Sequence, residues 1–377
     1  MAKAKVMFVV GTRPDAIKSA PVILEFKKYS NLVDSVVVST GQHKEMLAQA
    51  LGAFGVEPDA ELAVMRHGQS LAELTSRILE SLDAIVSATG PDMVFAQGDT
   101  TTTFVAGLCS FYRQIAFAHI EAGLRTDTVW DPFPEEFNRR AVGLFAALHF
   151  PPTQWAADNL THEGFDRGSI FVTGNTGIDA VTQIASNRAQ DWFPDYEGRV
   201  ILLTTHRREN WGEPQLRIAR AALQLVEEFQ DVMLVVPMHR NPKVRETLES
   251  VLAGHGRIKL IEPPDYPEFV KLTERSDLVL TDSGGVQEEA PTFGIPVLVL
   301  RETTERPEGV GAGTAKLVGT DTEVIVNEAR LLLKSTEHHA TMAQAVSPYG
   351  DGRASQRIRY IALKRLGIET PEEAMWI

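Results

Sequence analysis

The chain has 377 residues, 44% of them hydrophobic, with 37 Lys and Arg against 50 Asp and Glu, a formal charge of −13; this length suits about two domains. Such an acidic field works against a nucleic-acid phosphate track but leaves room for a small anion held by local donors. A single cysteine, Cys109, excludes an intrachain disulfide and a Cys-based metal or redox motif and points to a reducing, cytoplasmic setting, and no run approaches the ~18 apolar residues that insert across a membrane.

The opening strand, KVMFVV, is too short an apolar run for a signal peptide and leads into GTRPDAIKSAPVILEFKKY, where Gly11 turns the chain and Pro14 sits near a helix start. VDSVVVST, DMVFAQG and RQIAFAHI repeat the strand theme, with helical stretches such as SLAELTSRILESLDAIVSAT between them. A second series follows: RVILLTTH, the helical EPQLRIARAALQLVEEF, DVMLVVPMH, IKLIEP, DLVLTDSGG and PVLVLRE. Alternation of this kind builds parallel sheets buried on both faces. We therefore expect an α/β protein with two Rossmann-like domains facing across a deep cleft. The expected N-terminal domain is 1–187, with a boundary linker at 188–198 and a nucleotide-binding domain at 199–352. A helical segment, 353–377, then crosses back to the first domain.

Strand ends carry the candidate chemistry, because doubly wound sheets bind ligands at their carboxyl edges. After the first strand, Arg13 and Lys18 fit phosphate contact, a surface or structural role being the other reading; there is no GxxxxGK[ST]. AQGDTTTT, HIEAGLRT and DPFPEEFNRR gather Asp99, Glu121, Glu135, Glu136 and Arg139 at loop mouths. Crowded carboxylates let one group hold a proton while another acts as base, although surface charge also explains the last segment. His206, Arg207 and Arg208 form a cationic loop after the next strand, read as phosphate binding or leaving-group polarisation, and His239 sits at a comparable strand end. In TDSGGVQEEAP, Ser283, Gly284 and Gly285 offer a hydroxyl and exposed amides to a diphosphate, with Glu289 favoured over Glu288 to accept ribose hydroxyls. No HExxH or Cys/His ligand set is present, so no metal is expected.

Together GTRPDAIKSAPV, STGQHKEML, QGDTTT, HIEAGLRT, PFPEEFNRR, VTGNTGIDA, THRREN, TDSGGVQEEAP and YGDGRAS resemble the non-hydrolysing UDP-N-acetylglucosamine 2-epimerases over residues 7–360. The resemblance implies a GT-B-like fold, a homodimer, and reversible interconversion of UDP-N-acetylglucosamine and UDP-N-acetylmannosamine. UDP would be eliminated to leave 2-acetamidoglucal and then re-added, without a cofactor. It implies that Asp99, Glu121 and Glu135 are acid/base carboxylates, that Arg139 organises their segment and that His206 lies near the diphosphate. It further implies nucleotide-sugar contacts by Arg13, Lys18, His239, Ser283, Gly284, Gly285 and Glu289, with Arg301 and Glu302 near the uridine. A second, activating UDP-N-acetylglucosamine would meet Gln42, His43, Arg66 and Arg207. The family pattern often has glutamine where this chain has Glu45, whose charge would weaken activation. The product would feed surface-polysaccharide synthesis. A hydrolysing 2-epimerase, a GT-B glycosyltransferase and a non-catalytic nucleotide-sugar sensor are the alternatives.

Overall fold

The computed structural model describes residues 3–41, 44–66, 68–186 and 191–376. The expected site residues Gln42 and His43, and part of the expected linker (188–190), lie outside them. The chain divides into two compact units: Met1–Gln183 with Tyr349–Ile377, and Ile184–Pro348.

Unit 1 contains strands β1 (Ala4–Val10), β2 (Val33–Ser39), β3 (Ala60–Glu61), β4 (Met93–Gln97), β5 (Ala116–Ile120) and β6 (Leu148–Phe150). They pair in the order β3-β2-β1-β4-β5-β6, every pair parallel. Its helices are α1 (Arg13–Lys27), α2 (Lys44–Gly52), α3 (Leu71–Thr89), α4 (Thr101–Tyr112), α5 (Glu135–Gly143), α6 (Gln154–His162) and all but the last turn of α7 (Thr176–Ser186). Unit 2 repeats the plan with β7 (Arg199–Thr204), β8 (Val232–Pro237), β9 (Ile258–Ile261), β10 (Leu278–Thr281), β11 (Val297–Val299) and β12 (Ala315–Leu317). The order is β12-β11-β10-β7-β8-β9, again parallel. Read from the third strand of each unit, both sheets run 3-2-1-4-5-6, the doubly wound order. Helices α8 (Glu213–Glu228), α9 (Pro242–Leu252), α10 (Tyr266–Glu274), α11 (Gly284–Glu289), α12 (Pro307–Ala312), α13 (Thr322–Lys334) and α14 (Thr336–Ala343) belong to unit 2, and α15 (Ala354–Arg365) returns to unit 1.

The central strands are near-continuous apolar runs because both faces are covered. Phe8 stacks on Phe95 at 4.8 Å, and Phe26 of α1 meets both rings edge-on at 5.4 and 5.3 Å. Aromatic contacts of this geometry fix where α1 sits, and therefore where its first turn points. Helix α15 packs on α1. Its Arg359 is fully buried against the Tyr29 ring, 4.3 Å away, and Glu373. Asp179 of α7 accepts the amides of Ala354 and Ser355 and caps α15. In YGDGRAS, Tyr349 is buried and its carbonyl accepts the Asn175 amide.

One surface of unit 1 is unusually apolar. Phe111, Tyr112, Phe137 and Leu144, at the end of α4 and along α5, are half to three-quarters exposed, with Phe111 and Phe145 rings 5.6 Å apart. Among the described residues no helix is long and apolar enough to cross a membrane.

Candidate active site

In each sheet the chain order reverses between its first and fourth strands, and adjacent loops leave toward opposite faces there, opening a crevice. In unit 1 that point lies between β1 and β4. Gly11 follows β1 and lets the chain press on α4, since a side chain there would collide with Thr102 Oγ1 at 2.1 Å. Thr12 caps α1 reciprocally with Asp15, which also accepts from Thr100 Oγ1 at 3.2 Å. Burial pushes the Asp15 carboxyl up to about 7 against its Thr12 hydrogen bonds. Arg13 is half-buried at the mouth and has no partner among the described residues.

Asp99 sits one residue beyond the left-handed Gly98. Arg139 Nε donates to Asp99 Oδ2 at 3.0 Å and Asn138 Nδ2 to its carbonyl at 2.9 Å. Arg139 Nη1 also reaches Glu136, at 3.0 Å, and Arg140 Nε a second Glu136 oxygen at 2.6 Å. Glu136 is wholly buried, so its place is within α5's arginine framework. Its neighbour Glu135 is half-buried and has no partner among the described residues, which leaves its carboxylate available.

Glu121 lies in the next loop, directly after β5, with φ +61°. A non-glycine residue in that region is strained, and such strain gathers at functional positions. The backbone is held by Glu121 N donating to the Phe150 carbonyl, and the carboxylate by Gln97 Nε2 and by Lys18, whose Nζ lies 2.8 Å from both oxygens. Lys18 is an ion partner of Glu121, and both side chains are largely buried. His119 links the two acidic loops: its Nε2 lies 2.7 Å from the Gly98 carbonyl. Burial lowers its pKa to about 4, so the neutral ring donates from Nε2 and holds the turn that presents Asp99. The sequence pattern did not single out His119; its signal was its position, two residues before Glu121 on a central strand.

In unit 2 the reversal lies between β7 and β10, and Asp282 organises it. Fully buried, it accepts from Thr205 Oγ1, the amides of His206 and Arg207, and Asn210 Nδ2, all at about 3 Å. His206 Nδ1 lies 3.2 Å from Asp282 Oδ1. Burial works to raise the Asp282 pKa, but these hydrogen bonds, led by that from His206, hold it below the usual carboxylate range. The buried anion fixes the His206 ring and directs Nε2 away from itself. Sequence reasoning missed Asp282 although it directly precedes Ser283. The His239 ring stacks on His206 at 5.7 Å, and burial followed by the neighbouring imidazole lowers its pKa.

Ser283 and the exposed Gly285 flank the buried Gly284 at the start of α11, with Glu289 at the helix end; a side chain at Gly285 would meet nothing within 4 Å. Arg301 is engaged, donating to Glu209 at 2.7 Å and to Glu305, while Glu302 is exposed and its carboxylate lies against Gly319. Arg207 Nη2 donates to Glu305 at 3.0 Å. Arg66 and Glu45 are exposed in unit 1, Glu45 in the first turn of α2. Among the described residues no group of three or more His, Cys, Asp or Glu side chains could hold a metal ion.

A family model described as UDP-N-acetylglucosamine 2-epimerase matches residues 26–362. A UDP-N-acetylglucosamine 2-epimerase of Bacillus subtilis is 51% identical over 360 residues, 95% of this chain and 94% of that protein. Among solved structures, S. aureus MnaA with UDP is 44% identical with a TM-score of 0.88, covering 99% of this chain and all of that one. The UDP-GlcNAc 2-epimerase of Neisseria meningitidis, bound to UDP-GlcNAc, is 44% identical with a TM-score of 0.84, covering 96% and 100%.

Proposed function

Because the chain belongs to the non-hydrolysing UDP-N-acetylglucosamine 2-epimerase family, we propose a division of labour for the reaction in which unit 1 moves the protons and unit 2 holds the leaving group. The protein interconverts UDP-N-acetylglucosamine and UDP-N-acetylmannosamine by epimerisation at C2. A base removes the C2 proton, the C1–O bond breaks with its electron pair leaving on UDP, and 2-acetamidoglucal forms. Delivery of a proton to the opposite face of C2 and re-addition of the UDP oxygen to C1 complete the epimerisation.

Asp99, Glu121 and Glu135 are the proton-transfer groups. The observation that carries this reading is the strained Glu121, fixed by Lys18 and Gln97 in the loop neighbouring the Arg139-anchored Asp99. Arg139 aligns Asp99, and Arg13 contacts the substrate's anionic part. Ser283, Gly284 and Gly285 receive the diphosphate, Glu289 the ribose, and Arg301 and Glu302 border the uridine. His206, oriented by Asp282 and backed by His239, stabilises departing UDP. In deuterium oxide, UDP-N-acetylglucosamine should give the manno isomer labelled at C2. Free UDP and free N-acetylmannosamine as the only products would overturn the epimerase reading. Asp99→Asn, Glu121→Gln and Glu135→Gln should each remain folded and lose on the order of 10²–10⁴ in turnover; unimpaired turnover in any one removes that residue from the proton path.

A second UDP-N-acetylglucosamine activates the enzyme through Gln42, His43, Arg66 and Arg207, and the carboxylate of Glu45 weakens that response. Equal initial rates from UDP-N-acetylmannosamine with and without trace UDP-N-acetylglucosamine would remove the activation. The enzyme works as a homodimer, a reading supported by the exposed aromatic face of α4 and α5. It resides in the cytoplasm, where its product supplies surface-polysaccharide synthesis; a lone cysteine, Cys109, suits a reducing compartment.

A further inference from the structure

Two arginines of unit 2 converge on a carboxylate that has no part in the reaction outlined above. Glu305 Oε1 accepts from Arg207 Nη2 at 3.0 Å, and Oε2 accepts from Arg301 Nη1. The same Oε1 is pressed against the glycine of the proposed diphosphate cradle: a methyl group built on Gly284 would lie 2.9 Å from it and 3.8 Å from Arg207 Nη2. Burial tends to raise the Glu305 pKa, yet its own backbone amide with Arg301, Arg306 and Arg207 holds it below the usual range, so the group stands there as an anion. The backbone on either side is tied down. Thr304 Oγ1 donates to Gln287 at 2.8 Å, and Arg306 Nε donates to Glu288, both acceptors on α11. The loop is therefore fastened to the helix that carries the cradle, while the Glu305 side chain, one-third exposed, can change rotamer without moving either anchor.

We propose that Glu305 is a resident anion that substrate diphosphate must displace from the Gly284 cradle, which makes Glu305 a determinant of nucleotide affinity. The proposal rests on the assignment of the diphosphate to Ser283, Gly284 and Gly285. A diphosphate and a carboxylate cannot share that position, because like charges a few ångströms apart and partly shielded from water repel strongly. Rotation of Glu305 away from Gly284 vacates the position for the incoming phosphate oxygens and releases the Arg207 guanidinium from its carboxylate, while Arg301 keeps Glu209. Empty, the site holds its arginines aligned on a local carboxylate; filled, it exchanges one anion for another. Selectivity follows, since a ligand without a diphosphate brings no charge to exchange.

The test uses the full-length enzyme and two probes, UDP and uridine, measured by titration calorimetry. Glu305→Gln keeps the shape and removes the charge, and should bind UDP on the order of five- to tenfold more tightly than wild type, with uridine affinity unchanged. UDP binding that is unchanged or weaker in a folded Glu305→Gln variant, while wild type binds UDP normally, would make Glu305 a plain clamp for its arginines and overturn the proposal. Failure of wild type to bind UDP, or UDP binding unaffected by Gly285→Trp, would instead overturn the cradle assignment beneath it. A crystal structure of wild type with UDP gives a readout without any variant. It should show Glu305 Oε1 withdrawn from Gly284 and Arg207; the contacts found intact beside bound UDP would also overturn the exchange.

Discussion

Lys18 separates two meanings of a positive charge near an active site. Its position after β1 suggests a phosphate ligand, but its Nζ is 2.8 Å from both oxygens of Glu121, and both groups are largely buried. An ammonium committed to a partly buried carboxylate gives up that pair if it turns toward substrate. Lys18→Met should therefore lower kcat about 10²-fold through a misplaced Glu121, with KM changed little. Steady-state kinetics checks this, and a raised KM with intact kcat would return Lys18 to the phosphate. Residue types at strand ends were enough to list the acids and the cations; who holds whom was not legible. The Lys18–Glu121 and Arg139–Asp99 pairs join residues 103 and 40 positions apart, and such partners are set by strand order.

At the scale of elements, the two acidic loops depend on glycines of different kinds. Gly98 and Gly123 both have positive φ, +76° and +87°. Around Gly98 a side chain would meet open space, whereas at Gly123 it would lie 2.1 Å from the Ala156 carbonyl of α6. Gly98→Ala should thus cost about 1 kcal/mol from backbone strain alone, and Gly123→Ala on the order of 3 kcal/mol or more, because α6 must retreat. Urea unfolding of the two variants measures the difference; equal losses would show that α6 gives way freely. Long elements were readable from the sequence because buried parallel strands are continuous apolar runs. The short edge strands β3, β6 and β12, two or three residues each, have no such pattern. They are strands by virtue of the neighbour they pair with.

For the whole molecule, two buried histidines on adjacent strands work against acid resistance. His119 and His149 are register partners on β5 and β6, and burial lowers their pKa values from 6.5 to about 4 and about 3. Between those values and 6.5 the unfolded chain binds more protons, so their contribution is full above pH 6.5 and is lost as pH falls toward 4. Asp15, raised to about 7, acts in the opposite sense and gains stability over the same descent. His149→Phe, placed beside the Phe165 ring, should therefore gain on wild type by about 2–3 kcal/mol between pH 7 and 4.5. Denaturant midpoints at both values check this; an equal offset at each would clear His149. On the proposed homodimer, Leu144→Glu, on the exposed aromatic face, should shift sedimentation from dimer to monomer; a wild type that sediments as a monomer would remove the dimer, and an unchanged dimer would move its interface elsewhere. Connectivity has a consequence in time. Unit 2 is spliced into unit 1 ahead of α15, and α15 supplies the Arg359 that closes over Tyr29 and Glu25. While the ribosome translates Ile184–Pro348, on the order of ten to thirty seconds, the face of α1 that meets α15 waits uncovered. The part of the protein that is born first is the last to be finished, and during that interval an apolar face that the finished fold buries is open to wrong partners.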